Sequence, residues 1–422
     1  MGSRKVVLMI AYHFPPFRGS SGLQRTLRFA QHLPTFGWKP IVLTIVPRAY
    51  EASSCASGNE VPAGVEVVRA FGLDAARHLG VFGRYPRVLA TPDRWATWRF
   101  AAVAHALHTI RRRGVTSVWS TFPIATAHAI GRTIKRHSGL PWIAEFRDPM
   151  WQGDYPPDPA VNHAWRILET EIFRDASAIA VTTPGAAALY KSRFPDFPVD
   201  RLALIENGYD EETFQRAEAT LPRMTSMRPS FARPLTLLHS GVIYKSERDP
   251  KELFAALASL KAKGVVSSKR LQVVLRATGD DREFQRNIET SGISDIVSVV
   301  PQMDYLPALQ EMLSSDGLLI LQASNCNAQV PAKLYEYLRA RRPILALTDP
   351  AGDTAKTLDA AGVGLVARLD SRLEIESALV QFLDQLERRT WRPPSSEVVA
   401  GCSRLARTEQ LARLLDRTRA RD

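Results

Sequence analysis

Short apolar runs alternate with longer segments of helical periodicity along this sequence, and the alternation occurs twice. The first series contains seven runs that predict strands, at 5–11, 40–46, 65–70, 115–121, 141–146, 178–182 and 202–206. Helical segments separate them, and in the segment 21–36 one apolar stripe is formed by Leu23, Leu27, Ala30 and Leu33. Because parallel strands are joined by helical crossovers, this alternation predicts a parallel sheet with helices on both faces.

The second series follows a break in the pattern. Residues 215–234 contain Pro222, Pro229 and Pro234 and show little periodicity, which is typical of a crossing between domains. Six further strands are predicted, at 235–240, 271–277, 296–300, 317–322, 343–347 and 362–367. The sequence therefore predicts an α/β protein with two Rossmann-like, doubly wound domains, 1–206 and 235–390, joined by a connection at 207–234. Two such domains facing each other leave a cleft at the carboxyl ends of their strands, where ligands of such sheets bind.

The composition excludes several classes of protein. With 45% hydrophobic and 23% charged residues in 422, the chain can bury a sizeable core, and no apolar run approaches the roughly 18 residues of a membrane span. The apolar run 6–11 is shorter than the roughly 7–15 residues of a signal-peptide core. Three cysteines without a CxxC spacing argue against a disulfide framework or a cysteine zinc site. We therefore expect a soluble protein of the cytoplasm.

The net charge of +12 is concentrated near the start of the sequence. Residues 1–113 carry 16 Lys and Arg against 5 Asp and Glu, whereas the rest of the chain is nearly balanced. Within 69–100, arginines are interleaved with the aromatic residues Phe71, Phe82, Tyr85, Trp95, Trp98 and Phe100. Such a mixture suits an anionic lipid surface or a nucleic acid, and the alternative is a solvated helical face over core aromatics.

No nucleic-acid-binding motif accompanies this basic and aromatic stretch, so between the two ligands we favour a membrane. The protein would then be peripheral on the inner face of the membrane. Trp95 and Trp98 are expected to enter the headgroup layer, while the arginines that contact lipid phosphates are expected to be Arg84, Arg87 and Arg94.

The first candidate site lies between the first predicted strand and the first long helix, in the segment HFPPFRGSSG of residues 13–22. A glycine-containing loop that leads into a helix lets the backbone approach an anion, and Ser20 or Ser21 would cap the helix. The segment is neither a GxGxxG fingerprint nor a P-loop, so dinucleotide oxidoreduction and nucleotide hydrolysis lose support. A structural turn is the alternative, because such turns often need glycine.

The second candidate site is the segment WIAEFRDPMW of residues 142–151, in which an apolar strand ends in a cluster of charges. Glu145 and Asp148 are candidates for orienting sugar hydroxyls or for handling a proton. The alternative is that Arg147 forms an ion pair that shapes the loop.

The third candidate site combines residues 241–250, GVIYKSERDP, with residues 329–338, QVPAKLYEYL. Each segment leads from a strand of the second domain into a helix. Basic groups beside a helix N-terminus suit a diphosphate, and a carboxylate on a helix can accept hydrogen bonds from ribose hydroxyls.

Together these segments resemble the family 4 glycosyltransferases, which have the GT-B fold, and the resemblance covers almost the whole chain. FPPFRGSSG is similar to the family's FPP-x-x-GG loop, IAEFRDPMW to its strand ending in Asp-x-Arg-Asp-x-Trp, and IENGYDEETF to its Asn-Gly-x-Asp-x-x-x-Phe segment. HSGVIYKSERDPKELFAAL is similar to the glycine, basic residue and helix that hold the donor diphosphate. VPAKLYEYLRARRPIL is similar to the family's Lys-x-x-Glu-Tyr-x-x-x-x-x-Pro stretch.

The resemblance implies a retaining glycosyltransferase that uses a nucleotide diphosphate sugar, with UDP or GDP as the nucleotide, and needs neither a metal nor another cofactor. The acceptor would be a glycan, which we expect to be lipid-linked, in the synthesis of a cell-surface polysaccharide. No Asp-x-Asp, His-Glu-x-x-His or cysteine cluster supplies a divalent-metal site in the sequence. A C-terminal helix within 391–422, running from Glu397 to about residue 419, would cross back to the first domain.

The resemblance also implies roles for individual residues. Donor-binding residues would be Arg248 for the diphosphate, Glu336 for the ribose, and Gly19, Ser20, Ser21 and Gly22 for the far side of the diphosphate. Gly241 precedes the basic segment, and Lys333 lies one helical turn before Glu336. Arg147 belongs to the same expected substrate-binding set.

The sequence departs from the family pattern at two positions. Ala328 stands where the family often has a second Glu, and Val242 stands where an arginine often follows the glycine. Lys245 is a candidate to supply the missing positive charge. These departures leave open a catalytically silent GT-B protein that binds a nucleotide or a glycan. A sugar-nucleotide epimerase or a phosphorylase has less support, because nothing resembles their motifs.

Overall fold

The structure is a computed structural model, and it describes residues 5–17, 21–50, 61–80, 85–153, 155–221 and 233–420. The chain divides into two compact units. The first comprises Met1–Asn207 together with Arg404–Asp422, and the second comprises Gly208–Ser403.

The first unit is built on a seven-stranded parallel sheet with the strand order β3-β2-β1-β4-β5-β6-β7. Its strands are β1 (Val6–Ile10), β2 (Lys39–Ile45), β3 (Glu66–Ala70), β4 (Ser117–Thr121), β5 (Trp142–Phe146), β6 (Ala178–Val181) and β7 (Leu202–Leu204). All five residues of β1 are buried, because helices cover both faces of the sheet. This explains why the strand is a continuous apolar run rather than an alternating one.

The helices of the first unit are α1 (Ser21–His32), α2 (Ala75–His78), α3 (Trp98–Arg113), α4 (Ala125–Ser138), α5 (Pro159–Asp175) and α6 (Pro184–Arg193). They form two cores, one on each face of the sheet. Helix α5 begins as helix-capping rules predict, since Asp158 accepts hydrogen bonds from the backbone of Ala160 and Val161 and Pro159 occupies the first turn.

The second unit repeats the plan with a six-stranded parallel sheet in the order β10-β9-β8-β11-β12-β13. Its strands are β8 (Leu235–Ser240), β9 (Leu271–Arg276), β10 (Val297–Val300), β11 (Gly317–Leu321), β12 (Ile344–Leu347) and β13 (Leu365–Ala367). Its helices are α7 (Glu211–Thr220), α8 (Lys245–Arg248), α9 (Lys251–Ala262), α10 (Asp281–Thr290), α11 (Tyr305–Ser314), α12 (Lys333–Ala340), α13 (Asp353–Ala360), α14 (Arg372–Arg388) and α15 (Ser396–Gly401). Apolar clusters again cover both faces of the sheet.

The predicted α/β class with two doubly wound domains is confirmed. All thirteen predicted strands are present, and their ends differ from the predicted ones by at most three residues. In both sheets the strand order reverses beside the first strand, between β1 and β4 and between β8 and β11. Ligands of such sheets bind at the carboxyl ends of the strands that flank this reversal.

The division of the chain differs in detail from the predicted one. Helix α7 lies in the segment expected to connect the domains, but Phe214 and Ala217 of this helix are buried in a core of the second unit. Residues 222–232, which include Pro222 and Pro229, lie outside the described part of the chain.

The C-terminal segment also differs from the single helix expected from Glu397 to about residue 419. It forms two helices, α15 and α16 (Arg404–Arg419), and the boundary between the units falls between them. Helix α16 packs on α1 in the first unit. Two polar contacts add to this packing, since Asp416 pairs with Lys5 at 2.7 Å and accepts a hydrogen bond from Trp38 at 3.1 Å.

Candidate functional site

Arg147 and Gly22 meet in the first unit, where β5 ends and α1 begins. The guanidinium group of Arg147 occupies the space that a Cβ on Gly22 would need. Nε of Arg147 donates a hydrogen bond to the carbonyl oxygen of Phe122 at 2.6 Å, which fixes the side chain across the end of β4. Glycine at position 22 therefore permits a close approach of Arg147 to the first turn of α1.

The other residues predicted to bind the diphosphate in the first unit are Gly19, Ser20 and Ser21. Ser21 is the first residue of α1, and Gly19 and Ser20 lie outside the described residues.

Glu145 does not have the exposure that the predicted catalytic role requires. Its side chain is completely buried, and Nη2 of Arg25 lies 2.8 Å from Oε1. The hydroxyl of Thr121 donates to Oε2 at 3.0 Å. Because both oxygens are engaged and neither reaches the surface, Glu145 forms a structural ion pair rather than a contact with substrate. The sequence correctly suggested an ion pair at this strand end as an alternative, but with Arg147 instead of Arg25.

Asp148, the other predicted catalytic residue, is exposed in the loop after β5, although the next two residues of this loop are buried. Desolvation at this position raises the pKa of Asp148, and the charge of Arg147 opposes this shift. A network of hydrogen bonds and an ion pair holds this loop in place. The backbone N–H of Met150 donates to the hydroxyl of Tyr190 at 3.0 Å, and that hydroxyl donates to Glu169 at 2.9 Å. Arg193 pairs with Glu169 at 2.6 Å and stacks on the ring of Trp151. Asp148 is thus an accessible carboxylate on a loop that the fold positions.

His13 belongs to the first candidate site, where no role was predicted for it, and it lies shortly after the end of β1. Burial and the positive charge of Arg147 lower its pKa from 6.5 to about 3. The imidazole is therefore neutral at physiological pH. Its ring packs against Tyr12 and Phe17, with centroids 5.1 and 4.7 Å away.

The second unit brings Gly241 and Lys333 together at the reversal of its strand order. Gly241 follows β8 with a φ of +121°, a backbone conformation that favours glycine. A Cβ at this position would lie 3.0 Å from Nζ of Lys333. Lys333 is the first residue of α12, so its ammonium group adds to the positive end of the helix dipole.

Arg248 and Glu336 complete this cluster. Arg248 donates a hydrogen bond to the carbonyl oxygen of Val242 at 2.7 Å, and 20% of its side chain is exposed. Glu336 lies one turn after Lys333 on α12 and accepts a hydrogen bond from the hydroxyl of Tyr305 at 2.7 Å. Burial and the charge of Arg248 lower the pKa of Lys333 from 10.5 to about 7, while Glu336 opposes this shift. The predicted residues Arg248, Lys333 and Glu336 thus form one electrostatically coupled group, which lies beside Gly241.

Lys245 points to a different place from the one predicted for it. Its ammonium group forms an ion pair with Glu283 of α10, and 57% of its side chain is exposed. It also lines a cavity of about 300 Å³ at the ends of β11, β12 and β13. Among the described residues, that lining does not include Arg248, Lys333 or Glu336. Lys245 therefore does not replace the arginine that is absent at position 242.

Three residues of these clusters were not singled out from the sequence. They are Arg25, His239 and Tyr305, which contact Glu145, Lys333 and Glu336 respectively. Only His239 carried a usable signal, because a histidine directly after the apolar pair Leu237 and Leu238 in a predicted strand is unusual for a buried position. The partners of Arg25 and Tyr305 are 120 and 31 residues away in sequence, and no local pattern indicates them.

The basic and aromatic stretch of the first unit is less accessible than the sequence suggested. Trp98 is completely buried, and Trp95 packs against Tyr12 with ring centroids 4.5 Å apart. Arg94 pairs with the buried Asp74 at 2.7 Å. Trp98 is therefore unavailable for the predicted membrane contact, whereas Trp95 is partly covered and Arg94 keeps 32% of its side chain exposed. Phe82 and Arg84 lie outside the described residues.

The described part of the chain contains no group of three His, Cys, Asp or Glu side chains placed to hold a metal ion. None of the helices in it is both long enough and apolar enough to cross a membrane.

The first unit is similar to a known family of glycosyltransferase domains. Residues 22–208 match the family model described as a glycosyl transferase 4-like domain. Sucrose-phosphate synthase from Thermosynechococcus elongatus is similar in structure with a TM-score of 0.66, at 14% sequence identity over 99% of this chain and 100% of that one. The chain therefore carries a glycosyl transferase 4-like domain in its first unit and has the GT-B fold, which supports a glycosyltransferase.

Other solved structures share the fold of this chain. Anabaena HepE in complex with UDP has a TM-score of 0.64 at 13% identity, over 98% of this chain and 100% of that one. UDP-GlcNAc 2-epimerase from Neisseria meningitidis, bound to UDP-GlcNAc, has a TM-score of 0.57 at 12% identity, over 99% and 100%. At these identities the similarity shows the fold alone. No curated protein matches the sequence significantly.

Proposed function

We propose that this protein moves a sugar from a UDP- or GDP-sugar to a glycan acceptor, with retention of anomeric configuration. The observation that carries the proposal is the group of Gly241, Arg248, Lys333 and Glu336 at the end of β8 and the start of α12. Two cations beside the positive end of a helix suit a diphosphate, and Glu336 offers a carboxylate to the ribose hydroxyls. The complexes of HepE with UDP and with UDP-glucose support a nucleotide sugar as the donor class.

The chemistry follows from where charge develops in the reaction. When the bond between the sugar and the diphosphate breaks, negative charge grows on the departing phosphate oxygens. Lys333 and Arg248 would stabilise that charge through preorganised cationic groups. Asp148, accessible at the end of β5 in the first unit, is our candidate for contact with the reacting sugar or the acceptor hydroxyl. We assign Arg147 to substrate binding and Glu145 to positioning.

We further propose that the acceptor is lipid-linked, that the reaction belongs to polysaccharide synthesis, and that the first unit docks on an anionic cytoplasmic membrane surface. The exposed members of the basic and aromatic stretch support this idea, namely Tyr85, Arg87, Val88, Arg99 and Phe100. Val88 is 80% exposed and Phe100 is 74% exposed. Apolar side chains beside arginines suit the boundary between lipid headgroups and acyl chains.

The donor can be identified with a thermal-shift panel of UDP- and GDP-sugars, followed by mass analysis of products with and without glycan acceptors. We expect one nucleotide sugar to raise the unfolding temperature and to be turned over, with the product anomer, measured by NMR, matching that of the donor. Binding without transfer or donor hydrolysis would favour the silent GT-B protein that Ala328 and Val242 leave open. A change of sugar configuration without transfer would instead indicate an epimerase.

Variants separate the proposed site from a general basic surface. Lys333→Ala should abolish turnover, because it removes a cation that lies beside Gly241 and at the start of α12. Lys269→Ala is the matched control. Lys269 is exposed and lies just before β9, at the amino ends of the strands and so on the side of the sheet away from the proposed site. Equal activity of the two variants would contradict the assignment of the donor site.

A further inference from the structure

His239 is a buried histidine at the end of β8, and no role has been assigned to it so far. Its side chain has no exposed surface. Nδ1 lies 3.0 Å from the carbonyl oxygen of Leu319 on the neighbouring strand β11. Because a carbonyl oxygen can only accept a hydrogen bond, Nδ1 carries the proton. In a neutral imidazole the other nitrogen, Nε2, is then an acceptor.

The Nε2 atom faces the ammonium group of Lys333, and the two nitrogens are 3.2 Å apart. Lys333 therefore donates one of its three N–H groups to His239. Burial and the charge of Lys333 lower the pKa of His239 well below 6.5, so the ring stays neutral at working pH. Gly241 completes the arrangement, because a Cβ there would crowd Nζ at 3.0 Å.

We propose that His239 is a positioning residue, which holds the Lys333 ammonium group beside Gly241 with its charge available to the donor diphosphate. This inference rests on the proposed function, since it assumes that Lys333 binds the diphosphate. The chain of contacts runs from the Leu319 carbonyl through the imidazole to Nζ, so two neighbouring strands set the position of one lysine.

The physical advantage of a histidine lies in its neutrality. A carboxylate partner would hold Lys333 equally well, but it would cancel the charge and repel the phosphate oxygens. A neutral acceptor satisfies one N–H of the ammonium form and does not compensate the positive charge of that form. The charged groups that face Lys333 are Arg248 on α8 and Glu336 on its own helix, and their effects on its pKa are opposite in sign.

The first experiment uses the protein without ligand. Trace labelling with acetic anhydride across pH 5–10, read by mass spectrometry, gives the pKa of individual lysine amines. The Lys333 amine should titrate near 7 in the parent protein. His239→Phe removes the acceptor and adds apolar surface, so the pKa of Lys333 should fall, whereas His239→Gln keeps an acceptor and should stay close to the parent. An unchanged pKa of Lys333 in His239→Phe overturns the inference.

The second experiment measures affinity for UDP-glucose and GDP-mannose by calorimetry between pH 6 and 8. A nucleotide sugar has no terminal phosphate to titrate in this range, so the dependence reports the protein. Affinity in the parent should fall roughly tenfold by pH 8, because about one in ten Lys333 side chains is then charged. His239→Phe should weaken binding by about tenfold at pH 7, and His239→Gln should restore most of the loss.

A double-mutant cycle distinguishes positioning from general stabilisation. If His239 acts through Lys333, then His239→Phe should have no further effect on affinity in a Lys333→Ala background. Additive losses overturn the inference. If Lys333→Ala binds both nucleotide sugars as tightly as the parent, the proposed function is contradicted instead. The labelling experiment still tests the contact between His239 and Lys333, because it uses no ligand.

If His239→Phe does not fold, the parent protein alone provides the test. In ¹⁵N-imidazole NMR spectra, His239 should be protonated at Nδ1 and should not titrate between pH 5 and 8. A proton on Nε2 would contradict the arrangement, because Nε2 could not then accept from Lys333.

Discussion

Arg25 of α1 and Glu145 of β5 form a buried ion pair, with Nη2 of Arg25 lying 2.8 Å from Oε1 of Glu145. The exposed fractions of the two side chains are 2% and 0%. Arg25 also donates to the carbonyl oxygens of Ile205 and Glu206, each at 2.7 Å. This pair ties α1 to the end of β5 and to the segment after β7, within the first unit.

Removing Glu145 is therefore expected to affect stability first. Glu145→Ala leaves a buried guanidinium without its counter-charge, which typically costs about 3–5 kcal/mol. Asp148→Asn should change the free energy of unfolding by less than about 0.5 kcal/mol, because Asp148 is exposed, but it should reduce turnover strongly. Urea unfolding and product formation measured on both variants test this. A stable Glu145→Ala protein that lacks activity would restore Glu145 as a catalytic candidate.

Gly22→Ala should displace Arg147 without unfolding the protein. The new methyl group would overlap the guanidinium group, which is the mobile end of a long side chain and can move away. If Arg147 binds substrate, kcat/KM should fall by about the same factor as in Arg147→Ala, roughly tenfold or more. Gly401→Ala is the matched control, since a Cβ there meets no neighbouring atom. Full activity in Gly22→Ala would show that the position of Arg147 does not matter for catalysis.

The stability of the second unit should depend on pH through Lys333. Folding lowers the pKa of this base from 10.5 to about 7, so the folded state is penalised below pH 7. The penalty is relieved as the pH rises from about 7 toward 10.5, because the unfolded chain then binds more protons than the folded one. Lys333→Met should be more stable than the parent at pH 6, by roughly 1–3 kcal/mol, and the gap should close by pH 10. Denaturant unfolding at pH 6 and pH 10 measures the difference in free energy of unfolding between Lys333→Met and the parent. A difference that does not depend on pH would contradict this prediction.

The sequence predicted the fold better than it predicted the site, and the reason is physical. Parallel strands buried on both faces are continuous apolar runs, so β1 and β11 could be located from their apolar sequences alone. The contacts between Arg25 and Glu145 and between His239 and Lys333 join residues 120 and 94 positions apart, and only the tertiary fold brings them together. The family resemblance located Lys333 and Glu336, but it carried no information about the groups that hold them.

The sequence did not separate the buried from the exposed aromatic residues of the basic stretch, because composition does not show which way an aromatic residue points. Trp98 starts a stripe of buried residues on α3 that continues with Ala102 and Ala106. This stripe has helical spacing, so it belongs to the core, and Phe100 falls outside it. Helical periodicity would have assigned the two aromatic residues to opposite environments.

Membrane docking by the first unit predicts a specific pattern among exposed apolar residues. Val88→Glu and Phe100→Glu should each reduce sedimentation with vesicles that contain phosphatidylglycerol, and high salt should weaken binding of the parent. Leu373→Glu is the control, because Leu373 is 70% exposed but lies on α14 of the second unit. Equal binding of the parent to neutral and anionic vesicles, or binding to neither at low salt, would favour a soluble acceptor.

The most direct test of the account is calorimetric titration of the nucleotide sugar that gives the largest thermal shift. The parent protein, Arg248→Ala, Glu336→Ala and Lys269→Ala should be compared at pH 6.5. The account predicts that the first two substitutions each weaken binding by roughly 10- to 150-fold, as expected for the loss of a charge-assisted contact, and that Lys269→Ala binds like the parent. Parent-like affinity in folded Arg248→Ala and Glu336→Ala would show that the donor binds elsewhere.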